Sequence, residues 1–255
     1  MTNRFRGQWQ ANAEAFTQLI DNKGTPHHRG ILNPCIERLM GDVHGRRILD
    51  AGCGEGYLSR YYAQKGAQVV GVDFSEALIK ISKRHSEKQA IEFVVDDLCN
   101  LYEFGKEEFD IVLCNLVLLN LACLEKSLRE FYRVLRPQGF LVFSVVHPAF
   151  NVYGPGRWKL GEKDSQSGRR HGRYFMITDY FMEKEYQVRW KTRKGDEFPQ
   201  PFSFFHRTIS TYVNTLVRTG FRLTAFEEPS PESKEGFFDR ERRIPFFLVI
   251  RAEKL

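Results

Sequence analysis

At 255 residues, 42% of them hydrophobic and 27% charged, the chain suits one sizeable α/β domain with an elaboration and is too ordinary to be disordered or fibrous. No apolar run approaches the ~20 residues of a membrane span, and Met1–Arg6 leads into no hydrophobic signal segment, so the expectation is an unprocessed cytoplasmic protein without membrane association. The net charge of +6 gathers at Arg169–Arg173, Arg189–Lys194 and Arg240–Arg243; with no nucleic-acid-binding motif beside them, these clusters read as solvated surface that can attract an anionic substrate.

Phe5, Trp9, Phe16 and Ile20 fall near helical spacing and predict one amphipathic N-terminal helix that stops near Gly24–Pro26. Asn33-Pro34 reads as an N-cap followed by proline in the first turn of a short helix ending at Gly41. From Arg47 the chain alternates. Strands are predicted at 47–51, 68–73, 91–96, 109–115 and 140–146, and helices at 56–65, 75–86 and 123–136. The strands are near-continuous apolar runs, as expected where helices cover both faces of a parallel sheet. After His147-Pro148 the alternation breaks. A loop-like stretch precedes a period-two strand over 180–191, which Lys194-Gly195-Asp196 turns into a second strand at 202–206. A helix at 208–219 and strands at 221–227 and 246–253 then close the sheet as an antiparallel pair at its edge. The five cysteines contain no CxxC pair, which argues against a disulfide framework and against a zinc site; no metal is expected.

The most informative segment is Arg46–Gly56, an apolar strand that runs into Asp50 and then into glycines at 52, 54 and 56 before turning helical. Glycines there admit a tight turn and a ligand against bare backbone. The strand Gln68–Asp73 ends on a second acid, so two strand ends, a glycine turn and two carboxylates form a nucleoside cradle. A dinucleotide fingerprint reads GxGxxG, whereas position 57 here is Tyr, and no Gly-Lys-Ser/Thr follows to make a phosphate-binding loop.

Ile48–Tyr57, Val70–Ser75, Phe93–Leu98, Phe109–Val112 and Val134–Gly139 lie in order over about 95 residues, and with them the chain resembles the class I S-adenosylmethionine-dependent methyltransferases. The flanks Arg29–Pro34 and His206–Ser210 resemble a small-molecule subgroup more loosely. The resemblance implies a doubly wound, mainly parallel, Rossmann-like seven-stranded sheet with an antiparallel edge strand and an inserted β-hairpin lid. Residues 1–45 would form a helical cap, 46–146 and 207–255 the cofactor-binding core, and 147–206 the substrate-binding lid. It also implies a methyl donor, S-adenosylmethionine, that leaves as S-adenosylhomocysteine. Gly52, Cys53 and Gly54 would present backbone to it, Asp50 its carboxylate to the ammonium, and Asp73 both oxygens to the ribose hydroxyls. Phe74 would lie on adenine, with Asp97 and the Leu98 N–H on its polar edge, Asn115 and Leu116 beneath the sulfonium, and Arg29 on the cofactor carboxylate.

Transfer from a sulfonium is a direct displacement, so the protein supplies alignment and dryness, and a base only where the accepting atom must lose a proton. His147, just past the fifth strand, is the candidate base, or else a histidine that holds a turn; His206 is a second candidate, or orients the pocket. Trp9, Phe16, Phe150, Tyr153, Trp158, Tyr174, Tyr180 and Phe205 are candidates for the wall of an acceptor chamber, or else plain core. The expected reaction is methylation of O or N on a small, aromatic or apolar molecule by a monomer or homodimer, with no nucleic-acid partner. The alternatives are an RNA or protein methyltransferase, or a non-catalytic cofactor-binding regulatory partner.

Overall fold

In chain order the elements are α1 (Thr2–Ile20), α2 (Asn33–Met40), β1 (Arg47–Ala51), α3 (Tyr57–Gln64), β2 (Gln68–Asp73), α4 (Glu76–His85), β3 (Glu92–Val95), β4 (Phe109–Asn115), α5 (Leu124–Val134), β5 (Leu135–Val146), β6 (Gly156–Lys163), β7 (Arg170–Ile177), β8 (Glu185–Val188), β9 (Phe202–Phe205), α6 (Ile209–Arg218), β10 (Phe221–Glu227) and β11 (Phe247–Lys254). This computed structural model describes residues 2–163 and 170–255, so Arg169 of the first basic cluster lies outside the described residues.

Seven strands form one sheet in the order β10-β11-β5-β4-β1-β2-β3. β1 pairs in parallel with both β2 and β4, and β11 runs antiparallel to both β5 and β10, which closes that edge with an antiparallel pair. Chain order therefore reverses between β1 and β4. In an open α/β sheet the ligand crevice opens at the carboxyl ends of the strands beside such a reversal. Local signals place the helices: the Ser75 hydroxyl accepts the Leu78 N–H at the start of α4, and Thr208 accepts from Thr211 at the start of α6. α5 buries Leu124, Ser127, Leu128, Phe131 and Val134, a stripe at three- and four-residue spacing, onto one face of the sheet. α2 and α3 cover the other face.

Two expectations need correction. The stretch after His147-Pro148 is not loop-like throughout, because β6 and β7 pair antiparallel before the β8–β9 hairpin that period-two patterning predicts. Their pattern was hidden by register shifts at Lys159/Leu160 and Leu160/Lys163, which break strict alternation. Second, β5 begins at Leu135 and not at 140, since Arg136–Gly139 is absorbed as an irregularity opposite Phe109/Ile111, with Gln138 at φ 64°.

A roof crosses the strand ends. α1 packs Ala13 against Leu78 and Ile81 of α4, while Asn12 bonds both backbone groups of Gln200 and Gln8 bonds Ser203 of β9. The helix thus ties the core to the second hairpin. Below the roof, Cys99 is bonded to Cys123, joining the loops that follow β3 and β4; Cys35, Cys53 and Cys114 are free and buried. There is no disulfide framework among the described residues, but one pair exists that spacing alone did not reveal, because only the shared end of the sheet brings the two loops together. Among the described residues no helix is long and apolar enough to cross a membrane.

Candidate functional site

One cavity of about 1000 Å³ opens at the carboxyl ends of β1, β2, β4 and β5. Its floor is the glycine turn. Gly52 has φ +80°, and a Cβ there would come within 2.4 Å of the Val117 side chain; Gly54, at φ +57°, faces Phe16. Both positions thus require glycine for conformation, and Gly52 also for space.

The two strand-end acids border this turn and are buried. Asp73 accepts the Gly54 N–H on one carboxylate oxygen (3.1 Å) and the Ser75 N–H on the other (2.9 Å). Burial outweighs those hydrogen bonds and pushes its carboxyl up to about 6. Asp50 takes the Ser59 hydroxyl on Oδ2 (2.5 Å), while Oδ1 has no partner among the described residues. Burial, with the charge of Asp73 adding to it, raises Asp50 to about 7. A carboxyl held out of water with one open oxygen suits a cationic ligand group, which restores the charged form. The chain's own residues thus fit a ligand with an ammonium near Asp50 and hydroxyl donors near Asp73.

All the residues expected at the cofactor come to this cavity: Arg29, Asp50, Gly52, Cys53, Gly54, Asp73, Phe74, Asp97, Leu98, Asn115 and Leu116. Asn115 is locked, donating to the Tyr57 hydroxyl (3.2 Å) and accepting from Ser144 Oγ (2.6 Å). The Arg29 guanidinium donates to the Gly24 carbonyl and lies 4.0 Å from Asp21.

The chamber wall is narrower than the eight aromatics expected. Trp9, Phe16 and Tyr153 line the cavity; Phe150, Trp158, Tyr174, Tyr180 and Phe205 do not. Phe150 packs on His147 and Phe175, Trp158 on Phe175 beneath Arg243, and Phe205 on Phe5 beside Arg207. The Tyr180 hydroxyl accepts the Ile209 N–H, and Tyr174 is exposed. Four of the five are thus taken up by packing or hydrogen bonds elsewhere and Tyr174 faces solvent, which explains why a segment rich in aromatics has so few of them at the cavity.

The structure does not bring His147 or His206 to the cavity. His147 is buried, its Nδ1 accepts the Ala149 N–H (3.2 Å), and its Nε2 faces Glu228 (2.8 Å), so neither nitrogen is free to take a proton from an acceptor. Burial outweighs the pull of Glu228 and lowers its pKa. His206 donates Nε2–H to the Tyr180 carbonyl, and its Nδ1 is enclosed without a partner. His147→Ala is accordingly expected to leave cofactor affinity unchanged and to cost about 1–2 kcal/mol of stability, read by calorimetry and urea unfolding. Lost turnover at unchanged stability would restore the base role.

Sequence reading missed much of the far wall: His27 and His28, Trp190, Phe237, Glu241 and Phe246. Trp190 packs against Phe16, Trp9 and Phe202. The available signals were the adjacent histidines after Pro26 and the charged, aromatic loop before β11, neither of which has a periodicity to place it.

An open α/β sheet with a glycine turn and two buried acids at its switch point defines a nucleoside-binding enzyme of the doubly wound class. A family model described as a methyltransferase domain matches residues 49–143. The chain is similar to the solved S-adenosylmethionine-dependent methyltransferase of Mesorhizobium loti, at 27% identity and a TM-score of 0.72 over 87% of this chain and 96% of that one. A putative S-adenosylmethionine-dependent methyltransferase of Listeria monocytogenes is similar at 26% identity and a TM-score of 0.70, over 86% of this chain and 95% of that one. A ubiquinone biosynthesis O-methyltransferase of Coxiella burnetii is 34% identical over 44% of this chain; the match spans 48% of that relative, about half its length. The methyltransferase domain over residues 49–143 and the likeness to these two solved enzymes make the chain an S-adenosylmethionine-dependent methyltransferase, and its cofactor is S-adenosylmethionine. When bound, that cofactor supplies a methyl group on a positively charged sulfur that leaves as a neutral thioether.

Proposed function

We propose that the protein methylates an O or N atom of a small, aromatic or apolar molecule held in the same cavity as the cofactor. The observation that carries this is continuity. The cradle residues and Trp9, Phe16, Tyr153, Trp190, Phe237 and Phe246 border one space of about 1000 Å³, at the upper end for single-ligand sites of ~300–1,000 Å³ and so roomy enough for a second, ring-sized molecule beside the cofactor. On this reading residues 1–45 and 147–206 roof the transfer core, and the chain's work is to align the acceptor and exclude water. Asp50 and Asp73 hold the cofactor's ammonium and ribose, and Asn115 and Leu116 border the transfer point. Arg189, Lys191, Arg193 and Arg240 also line the cavity, and Lys191 has no ion-pair partner among the described residues. An acceptor that carries a carboxylate or phosphate at one end is therefore favoured. A relative named a malonyl-[acyl-carrier protein] O-methyltransferase, 32% identical over 54% of this chain, also acts on oxygen, as its name states.

The test uses methyl-labelled cofactor and a cell extract separated by size. Label is expected in the low-mass fraction. Label confined to RNA or protein would refute the small-molecule reading, and cofactor binding without transfer to any fraction would favour a regulatory partner.

A further inference from the structure

We propose that His27 and Glu241 form a proton-accepting dyad at the acceptor's attacking atom, and that the acceptor therefore presents a phenolic or enolic hydroxyl; this rests on the methyl-transfer reading above. His27 stands at the head of the π-helical turn His28–Leu32 that leads into α2, Glu241 lies in the loop between β10 and β11, and both line the cavity. His27 Nε2 is 2.9 Å from Glu241 Oε1. Burial works against the charge on Glu241, but the His27 hydrogen bond and the nearby Arg240 hold its carboxyl below the ordinary range, so it is ionised. An ionised carboxylate can only accept. The proton between the two therefore sits on Nε2, and a neutral imidazole with Nε2–H carries a bare lone pair on Nδ1.

That lone pair is free. Nδ1 makes no hydrogen bond to any described residue and is not among the enclosed polar atoms. The ring is held in place by Phe246 stacked at 5.4 Å and 15°, Phe237 at 5.1 Å and Phe238 at right angles, yet the side chain stays 28% exposed. Glu241 Oε2 is buried with no partner. A carboxylate short of one partner gains most when the imidazole beside it becomes imidazolium.

Position agrees with this chemistry. Phe247 pairs with Val146 at the end of β5, and Val146, Asn115 and Leu116 line the same cavity, so His27 borders the β4–β5 end and not the Asp73–Asp97 end. The other cavity histidine cannot serve. His28 Nδ1 accepts the Thr25 N–H (3.2 Å), which leaves Nε2 as a donor only, and burial with the charges of His27 and Arg29 lowers it to about 4. The charged and titratable groups around His27 are Glu241, Arg240, His28 and Arg29; the elements packed on its ring present phenylalanines.

In the step, the acceptor's proton moves to Nδ1 and the O–H pair stays on oxygen. The oxygen uses a pair to take the methyl group while the donor's C–S pair stays on sulfur. His27 then releases the proton to water, so the balance is methyl ether, S-adenosylhomocysteine and one proton. A neutral amine attacks with a pair it already has, and a carboxylate is already ionised; neither needs a base before attack. A hydroxyl does. Glu241 acts through His27 and is a positioning residue.

The test uses the protein loaded with S-adenosylhomocysteine and para-nitrophenol as the probe, at a pH where the free phenol is protonated. Wild type is expected to bind the probe and generate its phenolate absorbance. His27→Gln should lose that signal at least about tenfold, and turnover of the same phenol about 10²-fold, with S-adenosylmethionine affinity unchanged by calorimetry. Glu241→Gln should lose the Nε2–H tautomer of His27 by nitrogen NMR, and Glu241→Asp should restore it. An unchanged phenolate signal in His27→Gln, or no probe binding by wild type that binds S-adenosylhomocysteine, overturns the dyad and its acceptor class alone. Failure of wild type to bind either form of the cofactor overturns the methyl-transfer reading and the dyad with it.

Discussion

Asp73→Ala is expected to weaken S-adenosylmethionine binding about 10²-fold, the loss of two charge-assisted hydrogen bonds of roughly 1.5 kcal/mol or more each to ribose hydroxyls. The side chain is buried at the end of β2, borders the cavity, and is aimed by the N–H groups of Gly54 and Ser75. Alanine would also strand those two donors, so part of the loss would come from a loosened glycine turn. Asp73→Asn separates the two effects, since it keeps one oxygen for the backbone and gives up the charge. It should fall between wild type and alanine. Calorimetry that finds all three proteins with equal affinity would remove Asp73 from the cofactor site and weaken the assignment of the whole cradle.

The second large effect is a pH-dependent cost at Asp50. Its carboxyl rises from an ordinary 3.8 to about 7 in the folded, cofactor-free protein because burial disfavours the charge. Between those values the folded state holds a proton that the unfolded chain has released, so raising the pH favours unfolding. The stabilising contribution is fully present below about 3.8 and is lost as the pH climbs through about 7; Asp73, raised to about 6, adds to the same window. Asp50→Asn keeps an acceptor for the Ser59 hydroxyl and removes the buried charge. Without cofactor, the variant should therefore exceed wild type at pH 8 by on the order of 2–4 kcal/mol, with the advantage gone near pH 4. Its S-adenosylmethionine affinity should drop at least about tenfold, because the ammonium loses its counter-charge. Urea unfolding at the two pH values reads the first effect, and an advantage that does not change with pH would show that Asp50 is not held protonated by burial.

Both predictions concern residues that local sequence could point to. Asp50 and Asp73 each end an apolar strand, and the glycines at 52 and 54 stand within four residues of the first of them. A strand end, a turn and a helix start are local events, so one stretch of chain carries the whole pattern and all eleven proposed cofactor residues meet in one cavity. The acceptor side is assembled differently. His27 and Glu241 come together across 214 residues, and Trp190 reaches Phe16 and Trp9 only because α1 is bonded to the segment around Gln200. His147 and His206 stand at element ends, yet both His147 nitrogens are taken up by Ala149 and Glu228, and His206 Nε2 is taken up by the Tyr180 carbonyl while its Nδ1 is enclosed away from the cavity. No spacing rule reveals which hydrogen bonds a buried histidine has already made.

The sequence by itself determined the alternating architecture, the strand ends and the nucleoside cradle, because hydrophobic period, caps and glycine turns act over a few residues; the methyl donor followed from the resemblance that its junction motifs carry. The tertiary structure decided the shape and chemistry of the acceptor space. It did so through contacts between segments far apart in the chain: the α1 roof on β9, the 236–246 loop against His27, Phe150 and Trp158 packed on Phe175 away from the cavity, and the Cys99–Cys123 pair. Which of two neighbouring histidines offers a lone pair depends on the partner each meets. His27 meets a buried carboxylate and His28 a backbone N–H, and that difference appears only once the chain is folded.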